Sequence, residues 1–241
     1  MWADLSLPWR AALNAAWEAS CAGSMPIGSA IANQSGCVLT TGRNRLYEPR
    51  EYGLDYVAGA RIAHAEINAL LALEQHAVNP RECILYTTTE PCPMCAGAIV
   101  MADVRAVRFA ARDPWAGSTD LYETSRYMRG KNMQVEGPAD RPGGLHFEAL
   151  LFAFQAEYLL RGVDPSAVGK KNARVLLLEH MEATSPSGMA LGRALVQNGA
   201  LERMRQEAQP ASLVFDQLDG MLEAQPSYSM EHSSTSQFPQ P

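Results

Sequence analysis

The sequence predicts an α/β layer structure, with helices laid on a mixed sheet, and three observations predict it. Helix-like and strand-like stretches alternate from Leu7 to Ala110. Two strand signals, Ile27 to Asn33 and Cys37 to Gly42, flank Gln34-Ser35-Gly36 as in a hairpin. A short apolar run from Cys83 to Thr88 is then followed by a small-residue helix and a further strand.

The elements follow in order. Leu, Ala and Trp from Leu7 to Ala22 suit an amphipathic helix, closed by the breaker Gly23-Ser24-Met25-Pro26. After the hairpin comes a looser stretch, Glu48 to Gly59, and then a helix over Ile62 to His76. The strand at Cys83 leads to a helix opened by Pro91 and running to Ala102, and Val104 to Ala110 is another strand. Residues 113–146, rich in Gly, Pro, Arg and Tyr, read as an elaborated loop, and Leu145 to Leu160 as a helix. The first domain is expected to cover 1–161. Gly162-Val163-Asp164-Pro165 reads as a linker, residues 162–223 as a helical extension with two or three helices from Val175 to Leu222, and 224–241 as a disordered tail.

A chain of 241 residues, 47% hydrophobic, can bury a substantial core, and no run approaches the length of a membrane span. Asn14 and Glu18 interrupt the alanine-rich stretch 11–23, so no signal peptide is predicted and the cytoplasm is the expected compartment. The formal charge of -6 weighs against broad, non-specific binding of nucleic acid, which needs a basic surface. Five cysteines, an odd number, argue against a disulfide framework, so the cysteines read as thiols and two of them as ligands.

Those two stand in Pro91-Cys92-Pro93-Met94-Cys95, between a predicted strand and a predicted helix. Cysteines three apart at a helix start can clamp one ion, and the helix dipole favours their thiolates. Alone, the segment equally describes a redox dithiol or a structural zinc knuckle. The second signal is His64-Ala65-Glu66, also at a helix start. Residues two apart point about 200° from each other around a helix, so both can address only a site at its end. If the two helix starts converge, His64, Cys92 and Cys95 supply three ligands suited to Zn²⁺ and leave a fourth position for water. Glu66 is then placed to take the proton of that water. His-x-Glu followed by Pro-Cys-x-x-Cys is the pattern of zinc nucleobase deaminases.

Residues His64 to Leu70 and Leu85 to Ile99 make the sequence resemble the cytidine deaminase-like zinc hydrolases. The resembling branch contains tRNA adenosine deaminases, guanine deaminases and fungal-type cytosine deaminases. Met25 to Ala30, Gly42 to Arg45 and Val107 to Asp113 extend the resemblance to about residues 7–161. It implies a three-layer α/β/α fold with a five-stranded mixed sheet, zinc on His64, Cys92 and Cys95, Glu66 as proton shuttle, and Asn44 hydrogen-bonding the base. Ala65, Asp113 and Trp115 complete the candidate substrate contacts, and a homodimer is expected. Two features depart from the tRNA enzymes: residues 47–61 lengthen the connection before His64, and Pro114-Trp115-Ala116-Gly117 replaces a shorter, more basic loop.

Each remaining signal has a plainer alternative. Asn44 is also a common turn residue, Asp113 can cap the turn into Pro114, and Trp115 can pack in a loop. Arg126-Tyr127-Met128-Arg129-Gly130-Lys131 mixes cations and an aromatic as single-strand binders do, but reads first as a solvated surface. Cys21, Cys37 and Cys83 are expected in the core. His76, His146, His180 and His232 read as structural or surface residues. The expected function is zinc-dependent hydrolytic deamination of a free nucleobase or nucleoside. Its rivals are a tRNA adenosine-to-inosine deaminase, with RNA as substrate, and a redox or zinc-structured binding module.

Overall fold

The computed structural model describes residues 2–52, 55–74, 77–139, 146–162 and 173–225. The chain divides into two compact units, Met1–Phe147 and Glu148–Pro241. The first holds α1 (Leu7–Cys21), β1 (Gly28–Asn33), β2 (Val38–Arg43), β3 (Glu51–Tyr52), β4 (Val57–Ala58), α2 (Ala65–Leu71), β5 (Cys83–Thr89), α3 (Pro93–Met101), β6 (Ala106–Ala111), α4 (Arg126–Arg129) and β7 (Gln134–Glu136). Five strands form one sheet in the order β2-β1-β5-β6-β7, and β3 and β4 pair apart from it. β1 is antiparallel to both β2 and β5, while β5, β6 and β7 run parallel, so the sheet is mixed. The parallel pair β5 and β6 requires a crossover, which α3 supplies.

Close packing of helices on the strands defines the layers. A side chain at Gly28 would collide with the α1 backbone at Ala12 and Ala16, and one at Gly42 with the α2 backbone at Ala65 and Ala69. Gly42 pairs with Ser29, so it shares a face with Ser29 and opposes Gly28. α1 and α2 therefore cover opposite faces, which gives the expected three-layer α/β/α arrangement. On the α2 face, Ile31, Leu85 and Val107 of the sheet pack with Ala69 and Leu70 of α2 and Ile99 of α3. Each aliphatic side chain buried there contributes about 1.5–3 kcal/mol. On the other face, Trp9 of α1 meets Tyr86 edge-on at 5.1 Å and Phe147 at 5.3 Å.

The first unit differs from the sequence expectation in several features. The helix expected over Ile62 to His76 is shorter, because tight turns bring Ala63 N–H to Ala60 O and His64 N–H to Ile62 O before α2 begins. The fifth strand lies inside the expected loop: Gln134–Glu136 is exposed throughout and, among the described residues, pairs with β6 alone. Cys83 is buried as expected, whereas Cys21, at the end of α1, and Cys37, in the hairpin, are exposed.

The second unit contains most of α5 (Phe147–Arg161) and then α6 (Ala173–Thr184), α7 (Pro186–Asn198), α8 (Ala200–Gln206) and α9 (Ala211–Glu223). Among the described residues, four helices thus follow α5, where two or three were expected. Gly199, at φ 63°, breaks the stretch into α7 and α8, and Ser185 Oγ caps α7 by accepting from Gly188 N–H at 3.3 Å. The division before Glu148 groups α5 with these helices, although a boundary at Arg161 was expected. Phe154 of α5 meets Phe215 of α9 edge-on at 5.6 Å, and buried Glu157 receives Arg161 at 2.9 Å and Arg205 at 2.8 Å. The expected linker from Val163 onward, most of the expected tail, His76 and His232 lie outside the described residues. Among the described residues, no helix is long and apolar enough to cross a membrane.

Candidate active site

Two helix starts converge. His64 is the N-cap of α2 and Cys92 the N-cap of α3, both with extended backbone, and Cys95 stands in the first turn of α3 behind Pro93. Asn68 pins α2: its Nδ2 donates to Arg43 O at 3.0 Å and its Oδ1 accepts from Val57 N–H at 2.8 Å. It thereby ties β2, the β3-β4 hairpin and the helix carrying His64 to one another.

The three ligand atoms lie within 4.8 Å of one another. His64 Nδ1 is 3.6 Å from Cys92 Sγ and 3.5 Å from Cys95 Sγ. Tetrahedral zinc, with bonds of about 2.3 Å to sulfur and about 2.0 Å to nitrogen, sets its S and N ligands about 3.5 Å apart. The donor set and its spacing therefore fit zinc. The electrostatics agree: the hydrogen bond with Cys95 leads in holding the Cys92 thiol down at about 4, while that bond and burial push Cys95 far up. The hydrogen bond to Cys92 raises His64. Two sulfurs and an imidazole so placed compete for protons, and a divalent cation bound among them would relieve the competition by stabilising both thiolates.

Glu66 is 4% exposed. Its Oε1 accepts from Thr87 Oγ1 and its Oε2 from Cys95 Sγ, each at 3.4 Å. Burial raises its carboxyl above the usual carboxylate range, with the His64 charge opposing. A buried carboxyl group with a raised proton affinity thus stands beside the three candidate ligands.

The other residues singled out in the sequence have the following surroundings. Asn44 is buried, and its Oδ1 accepts from Ser24 Oγ at 2.8 Å and Leu46 N–H at 3.0 Å. Those bonds fix the amide, and none of the described residues accepts from its Nδ2. Arg45 N–H bonds to Ala63 O, which places this segment one residue from His64. Ala65 is fully buried as the first residue of α2, where it offers a backbone N–H rather than a side-chain group. Asp113 caps a turn: its Oδ1 accepts from Trp115 N–H at 3.0 Å and Ala116 N–H at 2.9 Å. Burial raises its carboxyl, and its charge is felt at His64. Trp115, 51% exposed, stands on that turn. In the Arg126 to Lys131 segment, Arg129 donates to Glu123 O and Thr124 O, and Lys131 to Asp103. His146 is buried and His180 exposed.

Sequence reasoning missed two residues here. Glu90, directly before Pro91-Cys92, accepts from Thr119 Oγ1 at 2.6 Å. Tyr122 is buried against Ala96 and Val100 of α3, and its hydroxyl has no partner among the described residues. Only the position of Glu90 beside the motif was a signal; nothing marked Tyr122.

Residues 5–111 match the family described as the cytidine and deoxycytidylate deaminase zinc-binding region. The chain is 31% identical over 111 residues to the cytosine deaminase of Candida albicans, covering 46% of this chain and 68% of that protein. It belongs to this zinc-type deaminase family. It is also 34% identical over 117 residues to the guanine deaminase of Bacillus subtilis, covering 48% of this chain and 65% of that one. With the tRNA-specific adenosine deaminase of Haemophilus influenzae it shares 33% identity over 111 residues, covering 45% and 59%. A tRNA(Ile)-lysidine synthase of Deinococcus deserti matches at 33% over 109 residues, 44% of this chain and 19% of that protein. Several of these relatives are thus spanned over less than two thirds of their length.

Proposed function

We propose that this chain is a zinc-dependent hydrolytic deaminase that removes the exocyclic amine of a free nucleobase or nucleoside and releases ammonia. The observation that carries the reading is the buried Glu66 carboxylate within 3.4 Å of Cys95, beside a ligand triad spaced for zinc. His64, Cys92 and Cys95 would hold the zinc ion, which when bound would supply Lewis acidity to activate a water. Glu66 takes the proton that the attacking water gives up, delivers it to the ring nitrogen, and carries the next to the leaving amine. Water and amine thus become carbonyl and ammonia. The raised affinity of Glu66 for protons suits a group that must both accept and return one. Thr87, donating to its Oε1, keeps the carboxylate turned toward the site.

Asn44 presents Nδ2 to an acceptor on the base, and the Ala65 N–H offers a second donor. Asp113 and Trp115 border the mouth. A small substrate is favoured by the net charge of -6 and by the engagement of Arg129 and Lys131 with the protein itself. The identity to a tRNA-specific adenosine deaminase supports a second reading, inosine formation in tRNA.

Ammonia release by the zinc-loaded chain, across free bases, nucleosides and an adenosine-containing anticodon stem-loop, separates the two. Release from a base or nucleoside is expected. Release from the stem-loop alone would overturn the small-substrate reading.

A further inference from the structure

Glu90 is outside the ligand set and plays no part in the proton transfers, yet both its oxygens are engaged. Oε1 accepts from Thr119 Oγ1 at 2.6 Å and Thr119 N–H at 3.3 Å, and Oε2 from Asp113 N–H at 3.4 Å. Main-chain bonds run alongside: Glu90 N–H to Ala111 O at 2.8 Å, Ser118 N–H to Pro91 O at 3.0 Å and Gly117 N–H to Asp113 O at 2.9 Å. Gly117 lies so close that a Cβ there would collide with the Glu90 carboxylate and the Asp113 carbonyl. The turn 113–119 is therefore stitched to residues 90–91, and the next residue is the ligand Cys92.

We propose that Glu90 is a positioning residue for substrate binding, holding the turn that bears Asp113 and Trp115 in place beside the ligand triad. A carboxylate is what this position requires. All three of its described partners are donors, and the amide of a glutamine would turn an NH₂ group toward at least one of them. The held turn keeps chemistry in reserve, since the Oδ1 of Asp113 is spent on the turn while none of the described residues donates to its Oδ2. That oxygen suits an N–H or O–H on the substrate. The inference rests on the deaminase reading for its substrate half only.

The test uses zinc-loaded wild type, Glu90→Ala, Glu90→Gln, Thr119→Val and the Glu90→Ala/Thr119→Val double variant. Three quantities are read: zinc per chain, hydrogen exchange of the 113–119 amides, and kcat and KM on the substrate found active. Zinc is expected to stay unchanged, exchange to quicken, and KM to rise about tenfold in Glu90→Ala with kcat within about threefold. Glu90→Gln and Thr119→Val should fall between, at about threefold in KM, and the double variant should be no worse than Glu90→Ala because the two share one interaction. Unchanged exchange in both Glu90→Ala and Thr119→Val would overturn the clamp. Quickened exchange with KM unmoved, or a fall in kcat alone, would overturn its role in binding, and zinc loss in Glu90→Ala would make the residue a support of the metal instead. A wild type inert on every substrate would sink the deaminase reading and the substrate half of this inference, while the exchange data would still decide the clamp.

Discussion

His64, Glu66, Cys92 and Cys95 sit at the starts of two helices packed on the sheet, whereas Asp113 and Trp115 ride on a turn tied to residues 90–91 by the Glu90 carboxylate and a few main-chain bonds. The centre gains its precision from elements: Gly42 admits the α2 backbone, Asn68 bonds to two neighbouring segments, and Thr87 on β5 meets Glu66. The proposed mouth gains its shape from side-chain and main-chain bonds, several of them between residues far apart in sequence. This difference teaches how one chemistry can accept different substrates. A turn can be rebuilt without moving the ligands, so identity of centre says little about the base that is bound.

If the comparison is right, damage to the centre abolishes function and damage to the mouth grades it. Cys95→Ala should reduce zinc from about one per chain to under about a tenth and remove turnover, read by metal analysis of purified protein. Full zinc in that variant would break the assignment of the centre. Asn44→Ala should raise KM about tenfold and lower stability by about 1–2 kcal/mol in urea titration, because buried Ser24 Oγ and the Leu46 N–H lose their acceptor. Trp115→Ala, at a 51% exposed position, should change KM by only about threefold and leave the melting temperature in place.

The smallest effect is expected away from both regions, at Asp103, which binds Arg81 at 2.6 Å and Lys131 at 3.0 Å. The hydrogen bond from Arg81, then that from Lys131, holds its carboxyl well below the usual carboxylate range. A depressed carboxyl adds stability that is fully present above its unfolded value, about 3.9, and is lost as the pH falls toward the folded one. Asp103→Asn should therefore be slightly less stable than wild type at pH 7, with a gap that closes below about pH 4 and unchanged turnover. Asparagine tolerates the backbone there, at φ 61°, so the comparison isolates the charge. A gap constant with pH would show that the ion pairs contribute nothing.

The centre was legible because ligand-type residues and helix-start signals coincide in the sequence at His64 and at Cys92-Pro93. The framework was legible where apolar patterns meet sheet or helix periods, as in α1, β1, β5 and β6. Gln134-Val135-Glu136 was not, because three exposed residues are too short a pattern to mark a strand, and their strand character comes from pairing with β6. Ile62 suggested a longer helix by its apolar side chain, yet it is 51% exposed and lies within the turns that lead into His64. Exposed Cys21 and Cys37 show that an apolar side chain at a helix end or hairpin need not be core. The role of Glu90 depends on contacts with residues 23 and 29 positions away, which no local pattern encodes. Asp113 gave the same ambiguity in both views: it caps its turn and still presents an oxygen.

The most direct test of the central claim is ammonia release by zinc-loaded wild type and Glu66→Ala, measured side by side on the same bases and nucleosides with zinc content determined in each. The account predicts release by wild type and a loss of about 10²–10⁴-fold in the variant with its zinc retained. Undiminished release by Glu66→Ala would contradict it.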